Sequence, residues 1–386
     1  MIKSIMKFLP AIFLLVICMA ISCNSKTVDG TASIQDTTSV STTIKYAKGF
    51  TITKGLNYQL LEVNKPFKGA EKGFRYLLIP KGTAPPANVE ADRVIKVPVA
   101  SIATTSTSHL PALDLLGVSN HLVGFPNTDL ITSRNIRMLV DQGNIIDIGP
   151  GSQIDLETLI EASPELIMDF AMGSTYDQFE RLQETGIPVV LNADYLEETP
   201  LGRAEWIKFT AAFFVKDTEA DSVFRRIEEN YLRLKAKAKD PSSYPMVYTG
   251  IVYGDIWYQP GGRSYAARFI NDAAGNYVWS HNSESGSLAL NFEEVYAQAH
   301  NADYWIGVGS YNSLAEIGAQ DPRYKQFDAF KEAQVYNYNA RIGATGGNEF
   351  LELGYARPDM VLADLLYILH PELLPGHQLY FYKKLN

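Results

Sequence analysis

Aromatic side chains and arginines recur in the last third of the sequence, where they could bind an anionic group. The candidates are aromatic or polar residues in or near loops predicted to follow strands: Tyr253, Trp257, Tyr258, Arg263, Trp279, Ser287 and Arg341. Arg263 lies in a turn that leads into a predicted helix, where backbone N–H groups and a guanidinium both suit an anion. Arg341 precedes a glycine-rich stretch. Each arginine could equally form a structural salt bridge, but their shared placement after strands favours a common cleft.

Residues that could catalyse a reaction or hold a metal directly are sparse. The sequence has 6 histidines, none at a metal-ligand spacing, and it contains no HExxH, GxSxG or P-loop motif. His109 is the best placed for a metal, and with Ser106 and Ser108 it could form a hydrolase pair. No third residue is identifiable to orient that pair, so a helix-start cap is favoured. The sequence therefore favours binding over catalysis, with no cofactor.

These candidates lie in regions that flank one long predicted helix, residues 217–240. Its apolar residues recur at spacings of three and four, acidic residues open it and lysines close it. At 1.5 Å per residue the helix would be roughly 35 Å long, about the diameter of a domain. We therefore expect a rigid connector between two lobes, with an ordinary surface helix in a single domain as the alternative.

The expected fold class is α/β, because short apolar strands alternate with helical segments on both sides of the connector, as in parallel sheets. Residues 45–216 would form an N-terminal β-rich apron and the first lobe, 217–240 the connector, and 241–386 the second lobe. Residues 1–22 would be a signal peptide, and 23–44 a lipidated cysteine with a Ser/Thr-rich tether.

The signal-peptide prediction depends on two lysines that precede a short apolar run ending at a bacterial lipobox pattern, residues 19–23. Cys23 would then carry the lipid, while a plain secretory signal is the alternative. Since Cys18 would be removed, disulfides and thiolate metal sites are excluded. Cleavage removes two lysines and no acidic residue, so the net charge changes from -9 to -11. Such an acidic protein is unsuited to nucleic acid, and its acyl chains would provide the membrane attachment.

Four segments resemble the periplasmic binding proteins of ABC importers for iron–siderophore complexes, haem and cobalamin. They are residues 100–125, 147–170, 256–275 and 290–306. The resemblance covers nearly all of residues 93–386 and is strongest to lipoprotein members with an extra N-terminal strand region. It implies two lobes joined by one backbone helix, limited closure, and a ligand held in the cleft. The first 90 residues lie outside the common pattern.

The resemblance also implies roles for single residues. Phe170 corresponds to an aromatic position that contacts the ligand in cobalamin binders, although it could equally be a core residue. Glu157 and Glu293 match one carboxylate per lobe that docks against arginines of the permease subunits. The alternative is that each only favours the N-terminus of its helix.

The implied protein is a monomeric, lipid-anchored solute-binding protein that delivers an iron–siderophore to an ABC importer dimer. Cobalamin and haem are the alternative ligands. A lipid-anchored hydrolase and a surface adhesin are the alternatives of a different class.

Overall fold

The computed structural model describes residues 40–41, 43–151, 153–172 and 176–386. The predicted signal peptide, the lipidated Cys23 and most of the predicted tether lie outside these residues, and the predicted boundaries of the five parts stay predictions. Within the described ranges, no helix is both long enough and apolar enough to cross a membrane.

The described strands form four sheets. The strands are β1 (Val40–Ser41), β2 (Phe50–Lys54), β3 (Gln59–Val63), β4 (Phe74–Pro80), β5 (Arg93–Val97), β6 (Ile102–Thr104), β7 (Leu122–Phe125), β8 (Ile146–Asp147), β9 (Leu166–Asp169), β10 (Val189–Leu191), β11 (Met246–Thr249), β12 (Val252–Tyr253), β13 (Ile256–Pro260), β14 (Asn276–Tyr277), β15 (Ser287–Leu290), β16 (Tyr304–Ile306), β17 (Val335–Asn337) and β18 (Lys383–Lys384).

Sheet pairing separates the apron from the two lobes. The apron has the order β1-β2-β3-β4-β5 and is antiparallel except for the β4–β5 pair. The first lobe has the parallel sheet β10-β9-β6-β7-β8. The second lobe has the sheet β14-β11-β16-β17-β18, parallel except at β18, and a small antiparallel sheet β12-β13-β15. The α/β fold class with parallel sheets is confirmed.

The described α-helices pack around these sheets. They are α1 (Leu110–Leu115), α2 (Arg134–Asp141), α3 (Leu156–Ala162), α4 (Tyr176–Glu184), α5 (Pro200–Glu205), α6 (Ile207–Ala212), α7 (Asp217–Lys237), α8 (Tyr265–Asp272), α9 (Phe292–Ala299), α10 (Leu314–Gln320), α11 (Asp328–Lys331) and α12 (Pro358–Leu369). A π-helical turn, Phe350–Gly354, precedes α12.

The long helix α7 lies between the two lobe sheets in the sequence, and it packs against helices that precede it and helices that follow it. It ends at Lys237, three residues before the predicted end. The apolar residues at spacings of three and four form its buried face, which comprises Ala220, Val223, Phe224, Ile227, Tyr231 and Leu234. This face contacts α6 before the helix and α12 after it. Tyr231 also donates its hydroxyl hydrogen to Asp272 of α8, 2.7 Å away, so a polar contact supplements the apolar packing.

Candidate functional site in the interlobe cleft

A largely aromatic pocket of about 270 Å³ lies at the carboxyl ends of the second-lobe strands. Thr249, the last residue of β11, and Ile306, the last residue of β16, form part of its wall. Large side chains line it, among them those of Tyr258, Tyr265, Tyr338, Phe350, Leu351 and Tyr355. Ligands of open α/β sheets bind at this edge, so the position is the one expected for a binding site.

A second pocket, of about 220 Å³, lies on the first-lobe side. It is lined by the loops after β6 and β9, including Ser106 and Phe170. Leu351 and Tyr355 of the second lobe line both pockets. The two pockets are therefore parts of one cleft between the lobes.

Arg203 of α5 places a positively charged side chain in the wall of this cleft. Its guanidinium carbon lies 3.6 Å from the centroid of the Tyr355 ring and 5.4 Å from that of Tyr265. Nη2 is 3.7 Å from the Asp194 carboxylate, a loose ion pair. The side chain is only 11% exposed, and Nε has no hydrogen-bond partner among the described residues. Arg203 thus joins the lobes by cation–π stacking and retains donor capacity for an anion.

His109 lies beneath Arg203 and is fully buried. Neither ring nitrogen forms a hydrogen bond of good geometry within the described part of the chain, and Asp194 and the Met168 backbone are nearby groups that favour the charged ring. A cavity of about 20 Å³ between His109, Asp194 and Arg203 has the size of a single water molecule. Burial disfavours the charged ring and lowers the pKa of His109 to about 4, so the imidazole is neutral at pH 7.

The Ser106 side chain near His109 caps a helical turn. Ser106 accepts a hydrogen bond from the backbone N–H of Ser108 at the start of the 3₁₀ turn Thr107–His109. The two serine hydroxyl oxygens are 3.0 Å apart. The interpretation of this segment as a helix-start cap is confirmed.

Asp169 is a second buried titratable group, at the end of β9. It accepts a short hydrogen bond from the Thr105 hydroxyl, and its other carboxylate oxygen has no partner among the described residues. Burial raises the pKa of Asp169 to about 6, against the opposing effect of the Thr105 hydrogen bond. Among the described residues, no three His, Cys, Asp or Glu side chains come together in a group that could hold a metal ion.

The structure brings two of the sequence-predicted residues to the cleft. Phe170 is half-buried and lines the first-lobe pocket, while Tyr258 lines the second-lobe pocket. Phe170 is therefore not a core residue, which was the alternative interpretation.

Two predicted site residues are core residues instead. Trp257 is fully buried, and its indole donates to the backbone carbonyl of Thr249 at 3.0 Å, so it supports the pocket wall from behind. Trp279 is only 3% exposed and its ring centroid lies 5.8 Å from that of Tyr277. The expectation that these rings face the cleft is corrected, because large aromatic groups stabilise the core of this lobe.

The other predicted residues lie away from the two pockets' walls. Tyr253 is the exposed last residue of β12 and Ser287 the exposed first residue of β15, and neither lines the two pockets. Arg263 lies 3.6 Å from Glu198 and lines a pocket next to the apron. Arg341 lies 2.6 Å from Glu349 and stacks on Tyr380, 4.4 Å from the ring centroid. Both arginines thus form the salt bridges that were the alternative interpretation.

The two predicted docking glutamates are exposed in the first turns of α3 and α9. Other side chains cap these helices: Asp155 accepts from two N–H groups of α3, and Asn291 forms a capping box with Glu294. Glu157 forms no salt bridge with any described residue, whereas Glu293 lies 3.1 Å from Arg323. Both carboxylates are therefore on the surface without serving as helix caps.

Sequence and structure comparisons agree with this architecture. The family model described as periplasmic binding protein matches residues 99–342. An uncharacterized lipoprotein of Methanocaldococcus jannaschii is 29% identical over 303 residues, covering 76% of this chain and 70% of its own length.

Two solved structures show the same fold at low sequence identity. A periplasmic binding protein of Veillonella parvula has a TM-score of 0.57 at 13% identity, covering 81% of this chain and 98% of that chain. A periplasmic haem-binding protein of Pseudomonas aeruginosa has a TM-score of 0.57 at 14% identity, covering 75% of this chain and 98% of that chain. The chain therefore belongs to the periplasmic binding protein family, a family of substrate-binding transport proteins and not of enzymes.

Proposed function

We propose that this protein is a lipid-anchored solute-binding protein that captures a metal chelate between its lobes and delivers it to an ABC importer. An iron–siderophore is the favoured ligand, with haem and cobalamin as alternatives. The observation that carries the proposal is the cleft itself, an aromatic pocket of about 270 Å³ next to the buried cation Arg203.

Metal chelates match this chemistry in two respects. Their organic frameworks are large and often planar, so they gain from contact with rings such as Tyr258, Tyr338 and Tyr355. Many also carry carboxylate or other anionic groups, which a weakly hydrated guanidinium binds well. Haem is included because the similar Pseudomonas aeruginosa structure is a haem-binding protein.

Visible absorption provides the first test. The purified protein is mixed with ferric catecholate and ferric hydroxamate siderophores, haem and cobalamin, and each mixture is passed through a desalting column. One chelate should elute with the protein and quench its tryptophan fluorescence, since Trp257 lies directly behind the pocket wall. If none of the four classes co-elutes, chelate binding is refuted.

Substitution of Arg203 tests the anion contact. A charge-assisted hydrogen bond contributes on the order of 1.5–3 kcal/mol, so Arg203→Met should weaken chelate binding roughly 10-fold or more. Arg268→Met is the matched control, because Arg268 is exposed on α8. Equal affinities in wild type and Arg203→Met would exclude Arg203 as the anion contact.

The proposal also includes the membrane and the importer. Cys23 would be the lipidated residue, so Cys23→Ser should move the protein from the membrane fraction to the soluble fraction. Glu157 and Glu293 would dock the two lobes onto the two permease subunits, and their surface exposure supports this. Two like charges on a rigid body favour one orientation on a two-fold symmetric partner.

A further inference from the structure

Among the described residues, one buried carboxylate of the second lobe accepts hydrogen bonds only from the first lobe. Glu352 is 2% exposed and lies in the π-helical turn Phe350–Gly354. Its Oε2 accepts hydrogen bonds from the backbone N–H and the hydroxyl of Thr132, at 2.6 and 2.8 Å. Its Oε1 accepts from the backbone N–H of Ser133 at 2.9 Å. No salt bridge to Glu352 is present in the described ranges.

The donors are held firmly by the first lobe. Thr132 and Ser133 lie between β7 and α2. The Ser133 hydroxyl donates to Asp114 at 3.0 Å, and its oxygen caps α2. A carboxylate that satisfies two successive backbone N–H groups at a helix start is well suited to that end of the helix dipole.

The chain that precedes Glu352 touches the same first-lobe loop. The Thr345 hydroxyl donates to the carbonyl of Asp129 at 2.6 Å. A Cβ at Gly347 would lie 2.3 Å from the Leu130 carbonyl oxygen, so only glycine permits this approach. The contact between residues 343–352 and 129–133 is therefore a further junction between the lobes, in addition to α7 and to the stacking of Arg203.

The π-helical turn that contains Glu352 belongs both to this junction and to the walls of the ligand pockets. Leu351 and Tyr355, which line both pockets, lie immediately before and shortly after Glu352. Movement of the Glu352 backbone would therefore move the wall that a ligand contacts. π-helical turns are rare, and they are frequent at functional sites.

We infer that Glu352 is a positioning residue that fastens the second-lobe wall of the cleft to the first lobe. Separation of the lobes would leave a carboxylate without the three donors that it has in this arrangement. The inference rests on the proposed function in one respect, namely that the wall fastened by Glu352 is the one that contacts the ligand.

Interlobe distance measures the junction without any ligand. The full chain carrying Cys18→Ser and Cys23→Ser is spin-labelled at Met138→Cys and Ala297→Cys, exposed positions on α2 and α9. Glu352→Ala should lengthen or broaden the distance distribution, and Glu352→Gln should restore part of it. Glu349→Ala is the matched control, because Glu349 binds Arg341 and Tyr380 within the second lobe. An unchanged distribution in folded Glu352→Ala overturns the inference.

Chelate dissociation is the second readout. Glu352→Ala should release the bound chelate roughly 10-fold faster, because it removes charge-assisted hydrogen bonds between the lobes, whereas Glu349→Ala should leave the dissociation rate unchanged. If Glu352→Ala does not fold, Thr132→Val decides, because it removes one donor and keeps the backbone N–H. Unchanged distance and dissociation in Thr132→Val would then overturn the inference. A distance change in a protein that binds no chelate would refute the proposed function and leave the junction in place.

Discussion

Replacing His109 should remove a pH-dependent part of the protein's stability. The pKa of this buried ring is about 4 in the folded protein, against an ordinary value of 6.5. The unfolded chain therefore binds a proton below pH 6.5 that the folded protein does not bind until about pH 4. Stability from this group is present above pH 6.5 and is lost as the pH falls towards 4.

The size of the effect follows from the two pKa values. A difference from 6.5 to about 4 corresponds to roughly 3 kcal/mol, at 1.36 kcal/mol for each pH unit. We choose His109→Phe because the ring forms no hydrogen bond of good geometry to the described residues and phenylalanine has a similar shape. Relative to wild type, His109→Phe should gain roughly 3 kcal/mol in the free energy of unfolding between pH 6.5 and pH 4.

Asp169 supplies a control of opposite sign. Its pKa is about 6 in the folded protein, against an ordinary value of 3.8, so its contribution to stability is present below pH 3.8 and is lost as the pH rises through 6. Relative to wild type, Asp169→Asn should therefore lose stability by roughly 3 kcal/mol as the pH falls from 6 to 4. In the wild-type protein, the pH-dependent contributions of His109 and Asp169 to the free energy of unfolding therefore nearly cancel.

The assay is urea unfolding at half-unit pH steps from 4 to 7.5, followed by tryptophan fluorescence. Subtracting the wild-type curve removes the titration of all other groups, provided that they are unaffected by the substitution. A pH-independent difference for His109→Phe would mean that the folded protein protonates His109 as readily as the unfolded chain does. That result would refute the burial argument.

Three further outcomes follow from the proposed function. Replacing Glu157 and Glu293 together by arginine should leave chelate affinity intact and abolish uptake. The exposed controls Glu161→Arg and Glu332→Arg should retain uptake. Unchanged uptake in the double variant would exclude docking through Glu157 and Glu293. Ligand addition should change the radius of gyration little in small-angle scattering, because a continuous helix joins the lobes, and a large compaction would contradict this. Arg263→Ala should have a smaller effect on affinity than Arg203→Met, since the Arg263 side chain is 64% exposed and lines another pocket; the reverse order, measured by fluorescence titration, would restore its predicted role.

The long helix was predictable because its signal is local. Apolar residues at spacings of three and four give one continuous face, and that face is the one buried in α7. The helix ends early because Ala238, at φ −79° and ψ 5°, already leaves helical geometry. The wrong prediction that Trp257 faces the cleft has a different cause. In the hairpin strand β13 the side chains alternate, so Trp257 points into the core while Tyr258 points towards the pocket.

The missed residues depend on contacts that no sequence period encodes. Arg203 belongs to a short helix of ordinary composition, and its stacking on Tyr355 requires both lobes to be assembled. Glu352 meets Thr132 across the same boundary. Sequence periodicity assigns a residue to an element and a face, but it does not specify which distant element that face will meet.

The apron, which lies outside the family match, is joined to the helix that carries Arg203. Within Lys45–Gly49, the first three backbone N–H groups donate to Glu205 and the last two donate to Glu197, at distances of 2.7 to 3.1 Å. Glu205 is fully buried at the end of α5, two residues after Arg203. Removing these donors would leave Glu205 with the Lys208 ammonium and Glu197 with the Trp206 indole as partners. Each lost hydrogen bond to a charged group would then cost on the order of 1.5–3 kcal/mol. The apron is thus part of the folded unit that positions the cleft cation, and the predicted tether precedes this attachment directly.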